Sequence, residues 1–365
     1  MGNYPNQFGP VSSHRPDLAF HSYTLFAPHG STFILLIDMD GKTAHYWTIP
    51  SQLGSGIELL SNGNLLFSVK TGEEPTHFLG TVGGRLIEMN PQGEIVWEHN
   101  DPSMHHDFVR LHNGNTLLNR HVPTPVGLID KIRGGIPGTE HETGMWSNSF
   151  QEITSAGAIV WEWLAYDHLD IDLDKICPLC TRSTWGYVNG VDILSNGDVI
   201  GSFRDFNNLM IIDRDSGSIN WRWGTWELGH QHNPTNLANG NILVLDNGYH
   251  RLPPYNLRST VSAEGYSRVL EIDPSTGNIK WSYTANPPTK FWSHICSSSQ
   301  RLPNGNTFIC ESSSGRFFEV TTRGEIVWQF VNPYTFKISR YGTTNLVYKA
   351  AKYGHDHAGI KNLGL

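Results

Sequence analysis

The sequence predicts an all-β protein, a six-bladed β-propeller of four-stranded antiparallel blades. Three observations carry this prediction. A segment ending in Gly-x-Ile/Val-x-Trp recurs six times, once in degenerate form; an Asn-Gly hairpin recurs five times; and the two alternate along the chain. Two hairpins make one four-stranded blade, and such repeats bury a continuous core only by stacking on their neighbours.

The tryptophan unit appears first as Asp40-Gly41 to Trp47, then as Gly93-Glu94-Ile95-Val96-Trp97, Gly157 to Trp161, Gly217 to Trp221, Gly277 to Trp281 and Gly324 to Trp328. Each marks an outer hairpin, with its tryptophan expected to pack between blades. The second unit comprises Asn62-Gly63, Asn113-Gly114, Asn196-Gly197, Asn239-Gly240 and Asn304-Gly305. Asn-Gly between β-prone runs predicts a type I′ turn with φ > 0 at both residues. Blades are expected at roughly 50–100, 104–165, 185–226, 229–285 and 292–332. A sixth would be assembled from Thr32–Trp47 and the C-terminal Tyr341–Leu365, so that pairing of N- and C-terminal segments closes the ring and leaves no long edge exposed. The whole chain, 1–365, reads as one domain with an N-terminal extension over 1–30.

Composition fits this class. The 365 residues are 38% hydrophobic and only 16% charged, with 37 glycines and 12 tryptophans, which describes a turn-rich, ordered β protein. A net charge of −8 argues against nucleic acid or an anionic membrane as partner. No apolar run approaches a membrane span, and the first thirty residues hold no signal-peptide core, so a cytoplasmic location is expected; a periplasmic one would need a leader ahead of Met1. Four cysteines are not a disulfide framework. Cys177-Pro178-Leu179-Cys180 has CxxC spacing without a second CxxC or a βαβ setting, and is read as a loop pair. Two inserts, 122–146 and 166–184, are expected to cap an axial pocket. The second carries the acidic run Asp167, Asp170, Asp172 and Asp174, which lacks EF-hand spacing and reads as a solvated loop or short helical turn.

Stepping back seven residues from each Asn-Gly turn gives Ser55, His106, Asn189, His232 and Ser297. The first strand of a propeller blade lines the central channel, so these positions form a polar ring, which is not how a dry core is filled. One strand further on, the same alignment gives Lys70, His121, Arg204, Asn247 and Ser312. Lys70, Arg204 and the imidazoles would make a cationic floor for an anionic ligand, with Arg204 able to hold two oxygens. Strand alternation turns His105 away from His106 and puts Tyr187 on the same side as Asn189; His294 lies just before the Ser297 register.

These residues resemble the arylsulfotransferase family. The resemblance rests on His105-His106-Asp107 followed by Leu111 and Asn113-Gly114-Asn115, on Gln231-His232 followed by Asp246-Asn247-Gly248, on Val188-Asn189-Gly190 with Arg204, and on the closing segment Val347 to Tyr353, spanning about 32–355. It implies sulfuryl transfer from an aryl sulfate to a phenol through a sulfated histidine. By motif, His232 matches the nucleophile, Asn189 and Arg204 the sulfate-binding pair, and His106, with His105 as the alternative, a further sulfate-site histidine. Where the family has His-x-Asn, this chain has Tyr187-Val188-Asn189; a tyrosine can protonate a leaving phenolate but carries no positive charge at neutral pH.

The expected function is therefore arylsulfotransferase-like, on a small aromatic or anionic substrate, with His232, His106 and Tyr187 as catalytic groups. Asn189, Arg204, His121, Lys70, Asn247, His294 and His105 are the expected binding groups. No cofactor is firmly implied. One alternative is a lyase, isomerase or hydrolase using His/Tyr acid–base chemistry, with a divalent metal on His106 and His232 as its metal-assisted form. The other is a non-catalytic binding propeller. Oligomeric state is left open.

Overall fold

The computed structural model describes residues 10–80, 82–225, 227–251, 265–338 and 342–365. Its strands form six antiparallel blades of four consecutively paired strands, one of them extended by a fifth strand, and the fold is the six-bladed β-propeller the repeats predict. No described helix is long and apolar enough to cross a membrane. The chain divides into two compact units, residues 1–74, 83–102 and 283–365 in one and 75–82 and 103–282 in the other.

In the first unit, blade 1 pairs Ser22–Pro28, Phe33–Ile37 and Thr43–Thr48 with the C-terminal strand Val347–Gly354. Ser22 faces Gly354 and Phe26 faces Ala350, so both ends of the chain meet in one sheet, as expected. Residue 341, where the C-terminal piece was expected to begin, and residues 1–9 lie outside the described residues. The rest of the expected extension is not loose chain: Ser22–Pro28 opens blade 1, and Val11–His14 adds a fifth strand to blade 6 by pairing with Ile326–Val331. Blade 2 spans Leu53–Asn100 and blade 6 spans Ser298–Val331. Trp47, Ile57 and Phe67 sit in one buried cluster, and Phe308, Phe317 and Trp328 in another.

The second unit holds blade 3 (Met104–Leu164), blade 4 (Val188–Trp223) and blade 5 (His232–Tyr283). Phe150, Trp163, Val188 and Phe203 pack between blades 3 and 4, and Ile200, Leu209, Val244 and Leu270 between blades 4 and 5. The two inserts clasp each other: Gly134–Ile136 runs parallel to Ile176–Thr181. Arg182 locks the pair by donating to the carbonyls of Ile129, Ile132 and Gly134 at 3.2, 3.0 and 2.7 Å while pairing with Glu140. The acidic run begins in a short helical turn, Ala165–His168, but Asp174 is not solvated; it is buried and holds Arg222 at 3.1 Å.

Two details depart from expectation. The Asn-Gly turns are not type I′: only the glycine has positive φ (Gly63 +88°, Gly114 +86°, Gly197 +95°, Gly240 +81°, Gly305 +86°). Each glycine N–H donates to the carbonyl three residues back, as Gly63 does to Leu60 at 3.0 Å, which makes a type I turn closed by a left-handed glycine. The asparagine serves its own loop instead, its Oδ1 accepting from the N–H two residues on, as in Asn62 to Asn64 at 2.9 Å. In four of these turns a glutamate of the third strand takes the neighbouring amides: Glu88, Glu152, Glu271 and Glu319. The tryptophans also do more than pack. Of the motif tryptophans, Trp161 and Trp328 donate their indole N–H to the carbonyls of Arg214 and Met39 in the next blade's outer hairpin, at 3.0 and 2.9 Å; Trp223, outside the motif, does the same to Gly277 at 2.9 Å.

A histidine-lined candidate site

The first strand of blades 2, 3, 4 and 5 carries the same defect. Pairing slips between Leu53 and Ile57, between Met104 and Phe108, between Val188 and Val191, and between His232 and Thr235. A bulge there bends the strand and re-aims its side chains, so simple alternation no longer applies. The register residues Ser55, His106 and Asn189 lie inside these bulges, and His232 borders one. Strained backbone marks the same places, with His106, Tyr187, His230 and Asn233 at φ +55°, +46°, +55° and +53°.

The bulge corrects the expectation for His105. It does not turn away from His106: both rings are buried, and their Nδ1 atoms are 2.6 Å apart. His121, from the second strand of the blade, stacks flat on His105 with ring centres 3.4 Å apart, and the Tyr187 ring meets His106 edge-on at 4.9 Å. A chain of hydrogen bonds sets the tautomers. The Val188 N–H donates to Asn148 Oδ1 at 3.1 Å, so the Asn148 amide N–H₂ points at His105 Nε2, 2.8 Å away. His105 must then carry its proton on Nδ1 and donate it to His106 Nδ1. That leaves the His106 proton on Nε2.

His232 has the opposite polarity. Its Nδ1 lies 2.8 Å from Asn247 Oδ1 and 3.1 Å from the His230 carbonyl, both acceptors, so Nδ1 bears the proton and Nε2 keeps its lone pair. Asn247 is fully buried and orients this ring; it was expected as a binding group. The turn around it is anchored by Asp246, which accepts from the Gly229 and Gly248 N–H groups at 2.8 and 3.1 Å and pairs with Arg251 and Arg268 at 2.5 and 2.7 Å.

Burial dominates the electrostatics. It drives His121 and His232 down to about 3, the latter opposed by the Asn247 hydrogen bond, and drives His105 and His106 well below the ordinary imidazole range, with neighbouring imidazoles adding to the effect. All four rings are neutral at pH 7. Arg204 stays charged: burial works against its charge, but Asp205, 2.6 Å from Nη1, overrides it. Its field reaches His106, His230 and His232.

Two expected groups present unexpected ends. Asn189 donates its amide N–H to the Gln231 carbonyl at 2.8 Å, and its Oδ1 is buried with no hydrogen-bond partner among the described residues. An orphaned acceptor asks for a donor, not for an anionic oxygen. Tyr187 donates its hydroxyl proton to the Leu79 carbonyl at 2.8 Å, so that proton is already engaged. Lys70 and His294 belong to the first unit. There, burial lowers the Lys70 ammonium against the pull of Glu74, and His294 lies beside Trp292. Gln231 escaped the sequence reading as a site residue, although the Gln-His pair was visible; it is fully buried and ties blade 5 to blade 4 through Ser202 at 3.1 Å and the Asn208 carbonyl at 2.8 Å. The side chains that converge in a metal-ligand cluster among the described residues are neither His106 nor His232 but Cys177, Cys180, His230 and His250.

Solved structures resemble the chain in fold. A Bacteroides caccae protein of unknown function is 12% identical over 91% of this chain and 98% of its own, with a TM-score of 0.56. A streptogramin B lyase is 12% identical over 90% and 85%, with a TM-score of 0.50. No curated relative matches the sequence. The family model described as Arylsulfotransferase (ASST), however, matches residues 19–349, from the first strand of blade 1 to its last and through every residue placed above. The chain therefore belongs to the arylsulfotransferase family.

Proposed function

We propose that the protein transfers a sulfuryl group from an aryl sulfate to a phenol, with His232 Nε2 as nucleophile. The observation that carries this reading is the acceptor pair on Nδ1, which aims an unprotonated Nε2 away from Asn247. Nε2 attacks sulfur, an N–S bond forms, the S–O bond to the aryl group breaks, and the aryl oxide leaves. The acceptor phenol then attacks the same sulfur, its oxygen gaining the S–O bond as N–S breaks, and its proton passes to a base. His106 Nε2–H gives a hydrogen bond to the departing oxygen and keeps its proton, since a neutral imidazole that lost it would become an imidazolate. The aryl oxide takes a proton from water, and the acceptor phenol returns an equivalent one to water in the second half. Arg204 supplies the fixed positive charge for the sulfuryl oxygens, as positioning and charge stabilisation dominate such transfers. Asn189 Oδ1 accepts from the incoming hydroxyl, and Tyr187 holds the His106 ring.

Release of 4-nitrophenol from 4-nitrophenyl sulfate in the presence of a phenol tests the reading. The wild-type protein should turn over, and His232→Ala should lose at least about 10³-fold, as removal of a covalent nucleophile does. A folded wild type that releases no nitrophenol and forms no sulfated adduct across a panel of aryl sulfates would sink the proposal. One alternative keeps the same residues: a base at His232 Nε2 together with a hydrogen-bond donor at His106 Nε2 also suits elimination or isomerisation of an aromatic substrate.

A further inference from the structure

The CxxC pair is not alone. The structure places Cys177 and Cys180, on the insert strand Ile176–Thr181, against His230 at the entry to blade 5 and His250 beyond its second strand. We propose that these four side chains bind a zinc ion in a closed tetrahedral site.

Geometry carries the assignment. All four ligand atoms lie within 4.8 Å of one another. Cys177 Sγ is 3.6 Å from His250 Nδ1, and Cys180 Sγ is 3.7 Å from the same atom and 3.5 Å from His230 Nε2. A tetrahedral zinc with ordinary Zn–S and Zn–N bonds has an S···N edge of about 3.6 Å, which all three distances reproduce. Two thiolates cancel the charge of the ion, so the site is neutral and suits its burial: Cys177, Cys180 and His230 are 6%, 8% and 0% exposed. A mixed sulfur–nitrogen set of this shape selects zinc over magnesium or calcium, which want oxygen. Both histidines sit at positive φ, +55° and +60°, a conformation that costs energy and needs a reason to persist. Around the ligands, Arg204 Nη1 stands 3.9 Å from Cys180 Sγ and is held by Asp205, which accepts from Thr184 at 3.0 Å. With four protein ligands the metal has no open position. Its work is to tie the 166–184 insert to the segment that carries His232 and to the turn that carries Asn247. The zinc assignment is independent of the proposed sulfuryl transfer.

Elemental analysis of the full chain, grown with zinc and purified reduced without chelator, should find one zinc per chain. Replacement by cobalt should give tetrahedral visible absorption and a near-ultraviolet thiolate-to-cobalt band, both abolished in Cys180→Ser and weakened in His250→Ala. Where a variant fails to fold, the wild type still answers. N-ethylmaleimide should spare Cys177 and Cys180 in the zinc-loaded protein and label both once zinc is stripped. Three results would overturn the proposal: no zinc retained by folded, reduced protein after reconstitution; zinc retained by Cys177→Ser/Cys180→Ser; or a Cys177–Cys180 disulfide in protein purified without reductant. Stoichiometric zinc in a protein without transferase activity would sink the reaction proposed above and leave the site standing.

Discussion

His106 and His232 are both buried, neutral imidazoles, yet they face their surroundings with opposite ends, because one ring receives a proton at Nδ1 and the other gives one away. Roles follow from that difference, and so do two predictions. Asn247→Leu removes the acceptor that fixes the His232 tautomer, so kcat should fall on the order of 10²-fold with KM little changed, while the folded fraction seen by circular dichroism holds. In the proposed transfer, His106→Phe removes the hydrogen-bond donor to the leaving oxygen. Its cost should depend on the leaving group: about 10²-fold or more for phenyl sulfate, and much less for 4-nitrophenyl sulfate, whose nitro group already spreads the charge of the leaving oxygen. Equal losses on both substrates would assign His106 to packing. The histidines could be named from the Asn-Gly register, but their tautomers could not, since these depend on Asn148 and Val188, more than forty residues from His105.

At the scale of elements, the bulged first strand and the Asn-Gly hairpin work together. The hairpin is held to the third strand by a carboxylate, and in blade 3 this is Glu152, which takes the side-chain amides of Asn113 and Asn115 and pairs with Arg214 of blade 4. Glu152 is 4% exposed, so Glu152→Ala strands a guanidinium and two amides. The loss should be about 3 kcal/mol in denaturant unfolding, against less than about 0.5 kcal/mol for an exposed control such as Glu94→Ala. The sequence made the hairpins visible because the positive-φ position of a tight turn favours glycine. It hid the bulges, because a bulge leaves no residue signature when histidine, asparagine or tyrosine takes the strained position.

The whole molecule stores a pH dependence. His105, His106, His121 and His232 have native pKa values below the unfolded value near 6.5, because burial penalises their charged forms. Unfolding below that pH therefore takes up protons. Their contribution to stability is complete above pH 6.5 and is lost as pH falls toward about 3, where His121 and His232 protonate in the folded state. Each such group adds a slope of about 1.4 kcal/mol per pH unit within that window. Chemical denaturation at pH 7.5, 6 and 5 should show falling stability, with a slope that flattens when His121 and His232 are both replaced by Gln; a flat profile in the wild type would mean these rings are not buried neutral.

The chain's covalent order by itself determined the repeats, the blade count and the pairing of its two ends, because hydrophobic alternation and glycine turns are local properties and six similar units have few ways to stack. It also determined which residues share a register. What only the tertiary structure decided is what each of those residues offers: the proton-free Nε2 of His232, the engaged hydroxyl of Tyr187, the orphaned Oδ1 of Asn189, and the meeting of a CxxC with two histidines about fifty and seventy residues away. Those are consequences of partners brought together by folding, and a hydrogen bond or a metal site has no meaning until its second atom arrives.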